Sequence, residues 1–364
     1  MGKTRNMMQK GWTRKKSIMQ DVRKTCILGW GWHQADLLRL AGEGSHPSPR
    51  KMARRDFLRG YQKEMLFIPI CLLMALILSS CSLKRYAVNR MGDAMAGSGS
   101  TFASDDNPEL IRAATPFSLK LMESLLAESP EHRGLLLAAA RGFTQYGYAF
   151  TQQDADEAEK DDLHRAIELR RYARRLYLRA RNYGLRGLET SHEGIRDELY
   201  RDPESSVQSF VMEDVPLIYW TAASWGAAIS LSKDNPALVA DLPQMEALIY
   251  RALELDEAFD HGAIHVFLIA LESGSASKTP EGLKLVRLHF RRAVELSRGM
   301  LAAPLVSMAE NVSVGTQDRK EFTDLLNRAL TIDADAIPEW RLNNLIMQRR
   351  AAWLLSRTDD FFLE

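Results

Sequence analysis

Cysteine is nearly missing from this chain: its 364 residues contain three, Cys26, Cys71 and Cys81. Two of them fall in an N-terminal leader, so a body that begins at Cys81 has one thiol and no internal disulfide. Sustained period-2 alternation is absent after residue 84, which excludes a body built from half-buried strands. No apolar run reaches the roughly 20 residues that span a bilayer; the stretch from Met65 to Ser80 falls short and holds Pro69. A positive surplus is missing from the body as well. Residues 1–64 carry 15 Lys/Arg against 5 Asp/Glu, which leaves 33 against 42 for the rest, a balance of −9. The net charge of +1 thus hides a basic leader and an acidic body that has no electrostatic reason to bind nucleic acid.

Signatures of chemistry are wanting too. His261 and His265 are four residues apart and would share a helix face as metal ligands do, but Gly262 stands where a zinc-protease helix needs its Glu. Two packing histidines in a repeat helix are the expectation; a metal-dependent hydrolase would need a third ligand. Gly97-Ser98-Gly99-Ser100 lacks the Lys-Ser/Thr that completes a phosphate loop, and is expected to be a bend between two helices. The acidic stretch Asp154–Asp162 lacks the Gly and terminal Glu of a calcium loop, so it is expected to be a solvated face or a partner-docking surface. No nucleophile–base pair is evident. Neither enzyme activity, nor a metal, nor a cofactor is expected.

What is present begins with the leader. Arg54, Arg55, Arg59 and Lys63 precede the apolar run, which ends Leu78-Ser79-Ser80-Cys81. Basic, apolar and small-residue regions in that order describe a secretory signal peptide, and the Cys directly after the small residues makes it a lipobox. Cys81 is therefore the expected lipidation site. Each buried acyl CH₂ contributes about 0.8 kcal/mol, so two or three chains hold the protein firmly on a membrane. Ser82 is not Asp, which favours outer-membrane sorting on the periplasmic side. Residues 1–51 show no core-building periodicity and are expected to be a disordered or non-native extension, with Met52 the natural start and 52–80 the signal peptide. Arg54-Arg55 also resembles a twin-arginine export motif.

The body, 81–364, shows apolar residues at three- and four-residue steps, the mark of amphipathic helices. Ten prolines punctuate it, from Pro108 to Pro338, often at expected helix starts. In Asp105-Asp106-Asn107-Pro108-Glu109 a cap is followed by Pro at the first helical position and acid in the first turn. A small-x3-aromatic-x2-small pattern recurs, where the small residues let paired helices approach closely, as in tetratricopeptide repeats. Ala173, Tyr177 and Ala180 fit it well; Ala252, Ala293 and Ala329 head its later half, and Met122, Leu125 and Leu126 close with Pro130. The alanine spacings, 41 and 36, exceed the usual 34 or so. The expected fold is all-α: a tetratricopeptide-like solenoid of four or five helical hairpins, with an insertion near 187–240.

Aromatic residues cluster twice. GFTQYGYAF supplies Phe143, Tyr146, Tyr148 and Phe150; Phe210 and YWTAASWGAAIS supply Tyr219, Trp220 and Trp225. Most would be solenoid core. Tyr146, Tyr148, Phe210, Tyr219, Trp220 and Trp225 are also the candidates for a ligand groove, because small-molecule sites are apolar clefts with few polar groups.

Several long strings resemble the lipoprotein T component of tripartite ATP-independent periplasmic (TRAP) transporters, the TatT family. They are YAVNRMGDAMAGSG from Tyr86, FASDDNPEL from Phe102, SPEHRGLLLAAARGFTQYGYAF from Ser129, RRYARRLYLRARNYGLRGLE from Arg170 and YWTAASWGAAISL from Tyr219. The resemblance implies a periplasmic homotrimer that engages the substrate-binding (P) subunit and passes a small, apolar organic ligand through a cleft or pore. A scaffold lipoprotein for envelope assembly is the alternative, favoured if the solenoid's own side chains fill the cleft.

Overall fold

The computed structural model describes residues 84–97, 99–276 and 279–363; the leader, its proposed extension and Cys81 lie outside them. Helices account for the described residues without a single strand, so the all-α expectation holds. Helix α1 covers 84–97, followed by α2 (Gly99–Ala103) and α3 (Pro108–Glu128). Asn107 caps α3 through its side chain, which accepts from the Glu109 and Leu110 amides, and Pro108 opens the helix. Helix α4 runs as α-helix over Arg133–Tyr146, widens to π-helix over Gly147–Gln152 and resumes over Gln153–Ala158. Then come α5 (Leu163–Glu189), the short α6 (Ile195–Arg201) and α7 (Pro203–Ser206), α8 (Val215–Ser230), α9 (Pro236–Val239) and α10 (Leu242–Leu255). The C-terminal part holds α11 (Ala263–Ala276), α12 (Pro280–Leu296) and α13 (Ala303–Met308), which continues as π-helix over Ala309–Ser313. The chain ends with α14 (Arg319–Leu330), α15 (Arg341–Ser356) and α16 (Thr358–Phe361).

Four hairpins make the stack: α4 with α5, α8 with α10, α11 with α12, and α13 with α14. Helix α3 packs on the first and α15 on the last. The second helix of every hairpin carries the small residues read from the repeat pattern, and Ala173, Ala180, Ala252, Ala293 and Ala329 are all fully buried. A larger side chain there would hold the paired helices apart. Tyr177 is sealed in the same seam, its hydroxyl donating to Gln152 Oε1 at 2.7 Å. A Cβ on Gly147 would come within 2.9 Å of the Tyr177 ring, so glycine there admits the tyrosine where α4 widens.

The first helices of the hairpins are different in character. Helix α8 (VPLIYWTAASWGAAIS) has no charged residue and α11 has one, Glu272. Helices apolar all round are covered on most sides. The two largest of four apolar clusters form here: one around α5, α8 and α10, the other around α11 to α15, with Tyr148 packed against both.

The stack then closes on itself. Helix α2 touches the turn Pro338–Trp340 and α15, and Arg341 donates to the Ser104 carbonyl at 2.9 Å. Asp154, Asp156 and Glu157 are part of this closure, which corrects the reading of them as solvated or partner-docking, whereas Glu159, Asp161 and Asp162 are exposed as a solvated face requires. Asp154 takes Arg112 at 2.5 and 3.0 Å and Arg349 at 3.1 Å, Glu157 takes Arg349 at 2.7 Å, and Asp156 takes Arg350 at 3.0 Å. Arg170 holds Asp156 and Glu159 from α5. Partly buried pairs of this kind fix register more than they add stability.

Candidate functional site

The first helix of each hairpin supplies half-buried residues. On α4, Leu137, Arg141 and Tyr148 recur at four- and seven-residue steps and therefore share a face. All three are half-buried. On α8 the half-buried residues include Tyr219, Trp220, Ala223 and Gly226, and a Cβ on Gly226 would meet the Phe267 ring of α11 at 2.8 Å. Glu310, from the π-helical part of α13, ion-pairs with Arg350. Tyr148 is hemmed in here: its hydroxyl lies 3.9 Å from Met347 Sδ. Burial pushes the Tyr148 phenol well above the usual tyrosine range, and Glu310 adds to the shift. Burial does the same to Tyr219, helped by Asp260. Both phenols stay protonated, and both residues are half-buried. Tyr148 and Glu310 each come from a π-helical segment, and such widened turns are frequent at functional sites.

A strained turn faces Tyr219. Phe259–His261 is a 3₁₀ turn in which Asp260 (φ 45°) and His261 (φ 57°) adopt left-handed backbone, followed by Gly262 (φ 95°). Two consecutive non-glycine residues of this kind are costly, and such strain persists only where the surroundings hold it. The Phe259 ring sits 5.1 Å from Tyr219, which lies 5.0 Å from Trp220, and the His261 ring sits 4.6 Å from Trp340. Burial raises the Asp260 carboxyl above its usual value, against the pull of His261 and Arg141. Arg141 packs over Gly99 of α2, where a Cβ would meet its Nη2 at 2.2 Å.

The six groove candidates divide. Tyr148, Tyr219 and Trp220 are half-buried, and so is Tyr146, against Phe150, 5.6 Å away, beside Arg112. Phe210 and Trp225 are core residues, 1% and 0% exposed, and offer a ligand no surface. Trp225 donates to Asp241 at 3.1 Å and carries the Arg181 guanidinium 5.0 Å over its ring; Phe210 meets His192 edge-on at 4.8 Å. The histidine pair does not share a face either. His261 is in the left-handed turn, whereas His265 is buried in α11 with its Nδ1 2.9 Å from Nδ1 of His289.

One grouping had no sequence signal. His192 Nε2 lies 2.8 Å from Asp214 Oδ2 and its Nδ1 lies 3.4 Å from Ser209 Oγ. The order resembles a hydroxyl–imidazole–carboxylate relay, but Ser209 Oγ donates to the Ser206 carbonyl, and Asp214 accepts from Arg133 at 2.6 Å and the Val211 amide at 3.0 Å. Burial of Asp214 is outweighed by these donors, so its carboxyl is lowered from the usual value. The group clamps 192–214 onto α4.

The fold defines a class: an all-α protein of stacked helical hairpins. Residues 104–362 match the family described as TRAP transporter T-component, and the chain belongs to it. Its role is that of a transport accessory. A protein of Treponema pallidum (strain Nichols), described as uncharacterized, is 27% identical over 307 residues, which cover 79% of this chain and 95% of the relative. No helix among the described residues is long and apolar enough to cross a membrane.

Proposed function

We propose that this chain is a lipid-anchored periplasmic accessory of a TRAP-type transporter that docks the substrate-binding (P) subunit and passes it a small organic ligand through the interior cleft. The observation that carries the reading is the enclosed, incompletely sealed set Tyr148, Tyr219 and Trp220. Anchoring is assigned to Cys81, on the strength of its lipobox, and the outer membrane to Ser82. Docking is assigned to α5, where Arg165, Arg171 and Arg175 are exposed and have no ion-pair partner among the described residues. A row of guanidinium groups favours an acidic partner surface. Homotrimer contacts are assigned to α3, whose Leu110 and Phe117 are 56% and 73% exposed at a seven-residue step, because such an apolar stripe marks an interaction surface.

Tryptophan fluorescence with the neutral apolar probe N-phenyl-1-naphthylamine tests the cleft. Binding that is weakened by Trp220→Ala, with helicity unchanged, is the expected result; probe binding indifferent to Trp220 overturns it. Cys81→Ser should abolish labelling by radioactive palmitate and release the protein from the membrane fraction.

A further inference from the structure

The second half of α5 carries positive charge that the protein itself does not answer. Arg175, Arg179, Asn182 and Arg186 follow at steps of four, three and four, so they share a helix face about 16 Å long. With Leu178 and Tyr183 they line an open groove of about 410 Å³. Each guanidinium is held in place by its neighbours. Arg179 sets its Nε 2.8 Å from Glu123 Oε1 and lies 5.3 Å over the Phe143 ring. Arg186 donates to the Pro130 carbonyl at 2.9 Å and lies 5.4 Å over Tyr183, and Arg175 lies 5.6 Å over Tyr172. The carboxylate that faces them, Glu123, is already shared with Lys120 at 2.6 Å and the Tyr183 hydroxyl at 2.7 Å. Arg175 and Arg186 have no ion-pair partner among the described residues.

The groove also lies beside the place where the chain leads back to Cys81. Lys84 opens the described body and pairs with Glu128 at 2.8 Å; two residues further on, Pro130 receives Arg186. Three residues of chain reach at most about 11 Å, so acyl groups on Cys81 bring a bilayer surface to this end of α5.

We propose that the groove binds the phosphate of an anionic lipid headgroup in the membrane that holds Cys81, with Arg179 and Arg186 as its donors. The assignment rests on Cys81 being acylated. A guanidinium takes phosphate oxygens in bidentate fashion, and basic side chains within a Debye length of an anionic bilayer are drawn to it. A zwitterionic headgroup would bring its own cation against three arginines, so net negative charge selects the lipid. Tethering favours a lipid over a phosphate free in solution, because it holds headgroups at high local concentration. Arg165 and Arg171, toward the other end of α5, are left to partner docking, with Arg175 between the two sites.

Arginine modification by phenylglyoxal, read residue by residue by mass spectrometry, tests this. The protein is purified intact from expressing cells and reconstituted into vesicles of phosphatidylcholine alone or mixed equally with phosphatidylglycerol. Arg179 and Arg186 should react about fivefold more slowly in the anionic vesicles, while Arg165 and Arg171 change by less than about twofold. Arg186→Gln should return Arg179 toward its rate in neutral vesicles, with helical circular dichroism unchanged. Equal rates in the two vesicle types overturn the proposal, and so does equal protection of all four arginines. Inorganic phosphate that protects as well as the lipid makes the ligand a free ion; protection by soluble polyglutamate and not by vesicles makes it an acidic protein segment. Either result also overturns it. The mass of the peptide carrying Cys81 reports acylation in the same spectra. Protection without acylation keeps the groove and removes the anchor, whereas acylation without protection keeps the anchor and removes the groove.

Discussion

Mild acid should loosen the α11–α12 hairpin, by an amount set by two buried imidazoles. His265 and His289 are 3% and 6% exposed and share one hydrogen bond across 2.9 Å. Burial lowers the pKa of both from the usual histidine value; His289 lowers His265 further, while Glu257 and Glu272 oppose the shift. The other groups facing the pair are Arg292, which binds Glu257 at 2.8 Å, and Tyr250, which donates to Glu272 at 2.8 Å. Because both folded values are depressed, the unfolded chain protonates first. Stability is therefore fully present above about pH 6.5 and falls as the pH drops, until the folded histidines also protonate. In that window each site contributes up to about 1.4 kcal/mol per pH unit, and the pair up to about 2.7. Glu257, held down at about 2 chiefly by Arg292, loses its contribution only at or below the usual carboxylate range, so the two windows stay separate. Urea unfolding followed by circular dichroism between about pH 7.5 and 5.5, for the native protein and the His265→Gln/His289→Gln variant, reads the difference in slope. The variant should be flatter. Identical slopes in the two proteins refute the reasoning.

Three further outcomes follow from the packing. Trp225→Ala should lower stability by about 3–5 kcal/mol, as removal of a fully buried aromatic does, whereas half-buried Trp220→Ala should change apolar-probe binding more than it changes the melting temperature; equal melting losses would move Trp220 into the core. Gly262→Ala places a Cβ 3.1 Å from the Ala293 Cα at a φ of 95°, so it should destabilise by about 1–3 kcal/mol and show as a lower urea midpoint. Asp154→Asn removes the carboxylate shared by Arg112 and Arg349, and hydrogen exchange should become faster in α3 and α15, with α8 and α10 unaffected.

Much of the architecture was written locally. Asn107-Pro108 reads as a helix start because a cap and a proline act within four residues, and that is where α3 begins. Pro203, Pro216, Pro236, Pro280 and Pro304 all stand in the first turn of a helix, where a missing amide costs nothing. Ala173, Ala252, Ala293 and Ala329 announced the close approaches of the hairpins for the same kind of reason, since small residues at helical spacing leave a groove that only another helix fills. The seven-residue step between Arg141 and Tyr148 was equally open to reading as a shared face, although its charged member was passed over.

Amino-acid order alone determined that the body is helical and where several of its helices start; it did not show that the stretch read as an insertion near 187–240 supplies α8, half of a central hairpin. Tertiary structure alone decided which side of an apolar helix is sealed. Helix α8 has no polar face to betray its orientation, so Trp220 and Trp225 read alike in the chain and part company only when α5, α10 and α11 pack around them. Closure of the stack was decided there too: Asp154 meets Arg349 across 195 residues, and Asp156 meets Arg350 across 194. A local pattern encodes periodicity and capping because those depend on neighbours within a turn or two, whereas the partner of a charge or an aromatic ring depends on the path of the whole chain.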